Sequence, residues 1–116
     1  MFDFEKLDVY QMIKEQNVKV LMFMRTLSEV DPYLIEQWKM ASLSSLLNLA
    51  EGTGRMTDSD KRHFLTISRG SIFESVAILD LLKSLSFIPE PTYQEFYNKY
   101  EQISKMLLGM FRSYSK

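Results

Sequence analysis

Asn48-Leu49-Ala50-Glu51-Gly52-Thr53-Gly54-Arg55 is followed, after a short polar link, by Asp60-Lys61-Arg62-His63-Phe64-Leu65-Thr66-Ile67-Ser68-Arg69-Gly70-Ser71-Ile72-Phe73-Glu74. This stretch decides the fold. It reads as the end of one buried helix, a glycine turn and the start of another. Gly52, just past the last periodic residue, is expected to take the left-handed conformation that closes a helix, with Gly54 as a second hinge. Thr57, with Asp60 three residues on, makes an aspartate version of the capping box. Asp58 and Asp60 suit the positive end of the new helix. No Lys-Ser/Thr pair follows the glycines at phosphate-loop spacing, so this is not a nucleotide-binding loop.

Working outward, the helix after the turn is expected to run to about Leu85. Phe64, Ile67, Ser71, Glu74, Ile78, Leu81 and Leu85 recur by threes and fours, which marks its inner stripe. Glu74 lies within that stripe and needs a partner or a wet face. Gly70 costs roughly 1 kcal/mol relative to alanine in a helix, which a close helix crossing would explain. The helix before the turn starts at Asp31, a cap, and Pro32, suited to the first helical position; Val30 and Ile35 are spaced for a hydrophobic staple. Leu34, Trp38, Ala41, Ser45 and Asn48 form one line, while Leu43, Leu46, Leu47 and Leu49 fill most of the remainder. Such a helix, apolar nearly all round, is expected at the centre of an assembly. Ala41 and Ser45 leave room for another helix to approach.

The first helix is expected over about Leu7 to Leu27, with Tyr10, Ile13, Asn17, Val20, Met24 and Leu27 on one stripe. Val18, Leu21, Met22 and Phe23 add apolar surface beyond it, which points to burial against another subunit. Pro89 and Pro91 break the pattern after Phe87. Thr92 and Glu95 then read as a capping box for a last helix carrying Tyr93, Phe96, Tyr100, Ile103, Leu107, Met110 and Tyr114 on one side. Four helices with short links predict an all-α, up-down-up-down four-helix bundle, a single domain over residues 1–116.

Composition agrees. The 116 residues are 46% hydrophobic and 25% charged, with no cysteine and a net charge of -1. Disulfide and thiolate chemistry are excluded. No uncharged apolar run approaches membrane-spanning length, and no basic region precedes an apolar core at the N-terminus, so a cytoplasmic protein without membrane contact is expected. The charge is unevenly spread: residues 1–60 hold ten acids and six Lys/Arg, or -4, and residues 61–116 hold five acids and eight Lys/Arg, or +3.

Catalytic readings are poorly supplied. A di-metal bundle needs several inward glutamates and paired Glu-x-x-His motifs; the one histidine sits in a single imperfect half, Asp60-x-x-His63. Neither a metal nor another cofactor is expected. The serines have no Gly-x-Ser-x-Gly elbow and no nearby base. Glu51 and Glu74 could form an acid–base pair, but a structural role fits them better. Asn17, Asn48, Glu51, Arg55, Arg69, Ser71 and Glu74 are expected to form a polar network around the central turn. Arg55, Lys61, Arg62, His63 and Arg69 form the densest basic set, the candidate for a nucleic-acid face.

The central stretch resembles the four-helix-bundle family encoded in intervening sequences of bacterial 23S rRNA genes, labelled S23 ribosomal protein. It is also similar to the accessory variability proteins of diversity-generating retroelements. The resemblance rests on Asn48-Leu49-Ala50-Glu51-Gly52, Arg55, Thr57, Asp60, Phe64-Leu65, Gly70-Ser71 and Glu74, with a second match at Ile103-Ser104-Lys105-Met106-Leu107 and Gly109. Ser45-Leu46 stands where the family commonly has Ile-Pro, Lys39 near a frequent arginine pair, and Ser86 where a glycine is usual. The resemblance implies a homopentameric barrel of four-helix protomers and a binding role without enzymatic activity. Its implied partners are the chain itself and RNA, DNA or a reverse transcriptase. The alternative is a structural or protein-interaction oligomer with no nucleic-acid role.

Overall fold

The computed structural model describes residues 1–115. A short 3-10 turn over Asp3–Lys6 leads into four helices: α1 (Asp8–Met24), α2 (Pro32–Thr53), α3 (Asp58–Ser84) and α4 (Glu90–Ser113). Among the described residues α1 packs on α2 and α4, and α3 packs on α2 and α4, while no close backbone approach links α1 to α3 or α2 to α4. The helices therefore stand at the corners of a square in chain order, the up-down-up-down bundle that the short links dictate.

The cap at Asp31 forms as its sequence specifies, and of the capping box expected at Thr57 the half made by the threonine side chain forms. Asp31 accepts from the Tyr33 amide, with Pro32 at the helix start, and Thr57 accepts from the Asp60 amide. The last cap differs from expectation. Helix α4 begins at Glu90, so Thr92 lies inside its first turn and forms no capping box with Glu95. Pro91 sits in that first turn, where its missing N–H costs no bond, and the Tyr93 amide already bonds the Pro89 carbonyl at 3.0 Å.

Two glycine expectations also fail, for physical reasons. Gly52 does not close α2 in a left-handed conformation; the helix continues through it to Thr53. Gly52 is instead buried where α2 meets α3, and a Cβ added there would lie 3.0 Å from the Phe64 Cβ. Gly70 is exposed, with nothing within 4 Å of an added Cβ, so no close crossing explains it within the chain.

The core runs through Ile13, Val20, Trp38, Leu49, Leu79 and Ile103, all fully buried. Side chains stitch each neighbouring pair of helices through carbonyls of the partner backbone. Asn17 Nδ2 donates to Ser42 O (2.6 Å, α1 to α2) and Gln16 Nε2 to Phe96 O (2.9 Å, α1 to α4). Ser68 Oγ donates to Ser45 O (2.7 Å, α3 to α2) and Arg69 Nε to Ser104 O (3.0 Å, α3 to α4). Across the square, Trp38 Nε1 donates to the Tyr100 hydroxyl at 3.1 Å. These bonds satisfy polar groups whose burial would otherwise be costly, and they fix the register of each helix pair.

The α3 stripe is displaced from the expected one. Leu65, Ser68, Ser71, Ile72, Ser75, Leu79 and Leu82 face inward. Of the expected inner stripe, Ile67, Glu74, Leu81 and Leu85 are exposed. The cause lies in the serines. Ser42, Ser45, Ser68, Ser71 and Ser75 are buried along the α2–α3 contact, and small residues let these two helices approach closely. Helix α3 thus has two adjacent three-four stripes, and the more apolar one points outward.

Candidate functional site

The five basic candidates do not form one open cationic face. Arg55 Nη2 bonds Glu51 Oε1 at 2.7 Å, and its guanidinium lies 4.4 Å from the Phe64 ring centroid. Lys61 donates to the Thr53 carbonyl at 3.4 Å, near the C-terminal end of α2, and sits 5.6 Å from the Tyr114 ring centroid. Arg62 bonds the Tyr114 carbonyl. His63 is exposed, edge-on to Phe64. These four gather where the α2–α3 turn meets the end of α4. Arg69 stands apart, bonded to Ser104 O on α4 with its guanidinium 4.8 Å from the Phe73 ring centroid. Four cations are thus engaged by carbonyls, a carboxylate or rings of their own chain, which leaves them less available to an external anion.

The expected polar network separates into pieces. Asn48 Nδ2 donates to Ser44 O at 2.9 Å and Ser44 Oγ at 3.0 Å, and Ser71 Oγ donates to Ser44 Oγ at 2.8 Å. Asn48 and Ser71 therefore meet through Ser44, a residue the sequence reading passed over. Asn17 bonds α2 elsewhere, Arg69 bonds α4, and among the described residues Glu51 pairs only with Arg55. Glu74 is exposed and joins none of these bonds. The network was legible as polar residues at helix-facing positions, but its partners were mostly main-chain carbonyls, which no residue-type pattern reveals. Glu51 is thus held by Arg55, and Glu74 stands in solvent. Among the described residues no three His, Asp or Glu side chains converge as metal ligands.

The most distinctive surface is apolar. Met40, Leu43 and Leu47 on the outer side of α2 are 56%, 49% and 59% exposed. Val18 and Met22 on α1 and Ile67, Leu81 and Leu85 on α3 are also exposed. Because α2 stands between α1 and α3, its three residues occupy the middle of this outer side. Single exposed apolar residues are ordinary, whereas groups at helical spacing on neighbouring helices are not. The sequence signal was an α2 apolar nearly all round; the chain covers only one side of it. A second apolar region lies at the α3–α4 seam. There Phe73, 56% exposed, stands between two hollows. One is lined by Ile72, Val76 and Tyr97 and the other by Leu65, Leu108 and Phe111, with Glu101 and Arg69 also contributing.

The chain is thus a four-helix bundle whose buried polar side chains bond largely to its own backbone. The chain belongs to the 23S rRNA-intervening sequence protein family, whose model matches residues 5–109. In shape it is similar to the crystal structure of a protein of unknown function from the S23 ribosomal protein family of Bacteroides thetaiotaomicron. That likeness has a TM-score of 0.82 and 20% identity, and covers 89% of this chain and 97% of the other. A comparison with curated proteins finds no match. No helix among the described residues is long and apolar enough to cross a membrane.

Proposed function

We propose that this protein is a non-catalytic binding protein that works as a homo-oligomer, and that the outer apolar side of α2 is an assembly surface. The observation that carries the proposal is Met40, Leu43 and Leu47, half-exposed side by side on the outer side of one helix. Covering such a patch removes roughly 25 cal/mol of unfavourable hydration per Å² of apolar area. The non-catalytic reading is supported by Glu51 being held by Arg55 and by the exposure of Glu74. The double variant Leu43→Glu plus Leu47→Glu tests the surface. Both residues are exposed within one chain, so the helical circular dichroism should persist while the mass by light scattering falls to that of one chain. An unchanged mass would place the assembly surface elsewhere.

The geometry favours the structural or protein-interaction form of this reading over nucleic-acid binding, because Arg55, Lys61, Arg62 and Arg69 are engaged within the chain. One observation keeps an RNA or DNA partner as the second reading: Arg55, Lys61, Arg62 and His63 gather at one end of the bundle. In a ring this group repeats, and phosphate binding by it weakens steeply with salt. Fluorescence anisotropy with RNA and DNA decides between the two. Salt-sensitive binding that Lys61→Glu plus Arg62→Glu removes supports nucleic acid, and no binding at low salt supports the protein-interaction form. A reverse transcriptase as partner stands with the nucleic-acid reading, since it was implied by the same resemblance.

A further inference from the structure

We infer that the hollow at the α1–α2 seam, beside the link between these helices, binds a small amphipathic carboxylate, a compact apolar body with one anionic head. The inference is independent of the self-assembly proposed above. Leu21, Met24, Arg25, Ile35 and Lys39 line the hollow. Its place follows from how the helices pack. Small serines let α2 and α3 run close together, whereas α1 approaches α2 over a shorter length. Asn17 holds the α1–α2 seam through its 2.6 Å bond to Ser42 O. Roughly one to two helical turns further towards the link, Leu21 and Met24 face Ile35 across the hollow.

The chemistry of the lining is divided. Leu21, Met24 and Ile35 make an apolar floor, with Met24 buried and the other two half-buried. Arg25 and Lys39 are exposed. Among the described residues neither joins an ion pair or lies over a ring, unlike Arg55, Lys61 and Arg69. No described acidic residue lines the hollow, although residues 1–60 carry -4. Two uncommitted cations on one apolar hollow suit a ligand that offers both an anion and a hydrocarbon surface. A guanidinium takes a carboxylate through two parallel bonds, and an ammonium adds a compact positive charge. A bare inorganic anion leaves the floor in water, and a neutral hydrocarbon leaves both cations unmatched. The hollow holds about 290 Å³, the small end for ligand sites, which suits a single ring or a short branched chain as the body.

The test titrates the full chain with benzoate at low salt, followed by methyl and amide NMR. Benzoate should bind in roughly the millimolar range and shift the Leu21, Met24 and Ile35 methyl signals. Arg25→Gln and Lys39→Gln, each checked by helical circular dichroism, should each weaken binding about tenfold. Leu21→Trp fills the hollow, keeps both cations and should abolish binding. Acetate, benzyl alcohol and inorganic phosphate should each bind wild-type protein about tenfold more weakly than benzoate does. That comparison needs no variant to fold. The inference is overturned if benzoate causes no shift at about 10 mM, or if only the Arg25 and Lys39 amides respond. Phosphate or benzyl alcohol matching benzoate also overturns it, as does unchanged affinity in both folded glutamine variants.

Discussion

Ser86 carries the single positive φ among the described residues, 65°, directly after α3. The Phe87 amide bonds Leu82 O at 3.0 Å and the Ser86 amide bonds Lys83 O at 2.9 Å, the paired bonds that close a helix through a left-handed residue. A Cβ in that conformation costs about 1–2 kcal/mol. Ser86→Gly should therefore stabilise the protein by about 1 kcal/mol and raise the urea midpoint without changing the slope. The requirement for a glycine-like residue was visible in the resemblance; that serine takes the strained conformation was not, since residue type alone does not report φ.

Tyr100 is the other informative residue. Burial pushes its hydroxyl from the ordinary 10.0 up to about 12, although the hydrogen bond from Trp38 pulls the other way. The neutral form is favoured in the fold. Its contribution is fully present below pH 10 and is lost as the pH rises from 10 towards 12, in all roughly 2–3 kcal/mol. Thermal melts across that window should show the loss. Tyr100→Phe should lower stability at neutral pH by about 1–3 kcal/mol, because it leaves the Trp38 N–H buried without its acceptor, and should flatten the alkaline fall.

Among the elements, the contact of α2 with α3 decides the geometry. Gly52 faces Phe64 with no room for a methyl group, and five buried serines line the remainder. Phe64 Cβ is fixed to the α3 backbone, so Gly52→Ala requires α3 to give by a few tenths of an ångström and should destabilise by about 1 kcal/mol despite the better helix propensity of alanine; chemical denaturation measures this. Helix boundaries at Pro32 and Thr57 were legible because capping chemistry is local. The inner stripe of α3 was not. Ile67, Leu81 and Leu85 are larger and more apolar than Ser68 and Ser75, so hydrophobic periodicity selected the outward side. Periodicity reports which surfaces avoid water, and here some of those surfaces are left uncovered by the chain itself. The basic candidates fared similarly: their charge was readable, but their engagement with Thr53, Ser104 and Tyr114 carbonyls depends on how the helices meet.

At the scale of the whole molecule, the misread stripe and the exposed α2 ridge have one explanation. A bundle needs one buried side per helix, and α2 and α3 each offer a second. The self-assembly proposed above would cover that surplus, and it would account for an apolar α2 in a chain with ordinary charge content. The mass of the wild-type protein in solution, measured by light scattering across a dilution series, tests self-assembly most directly. The prediction is an assembly at a fixed multiple of 13.7 kDa, five-fold if the barrel that the family resemblance implies forms. A single 13.7 kDa chain at every concentration would contradict it.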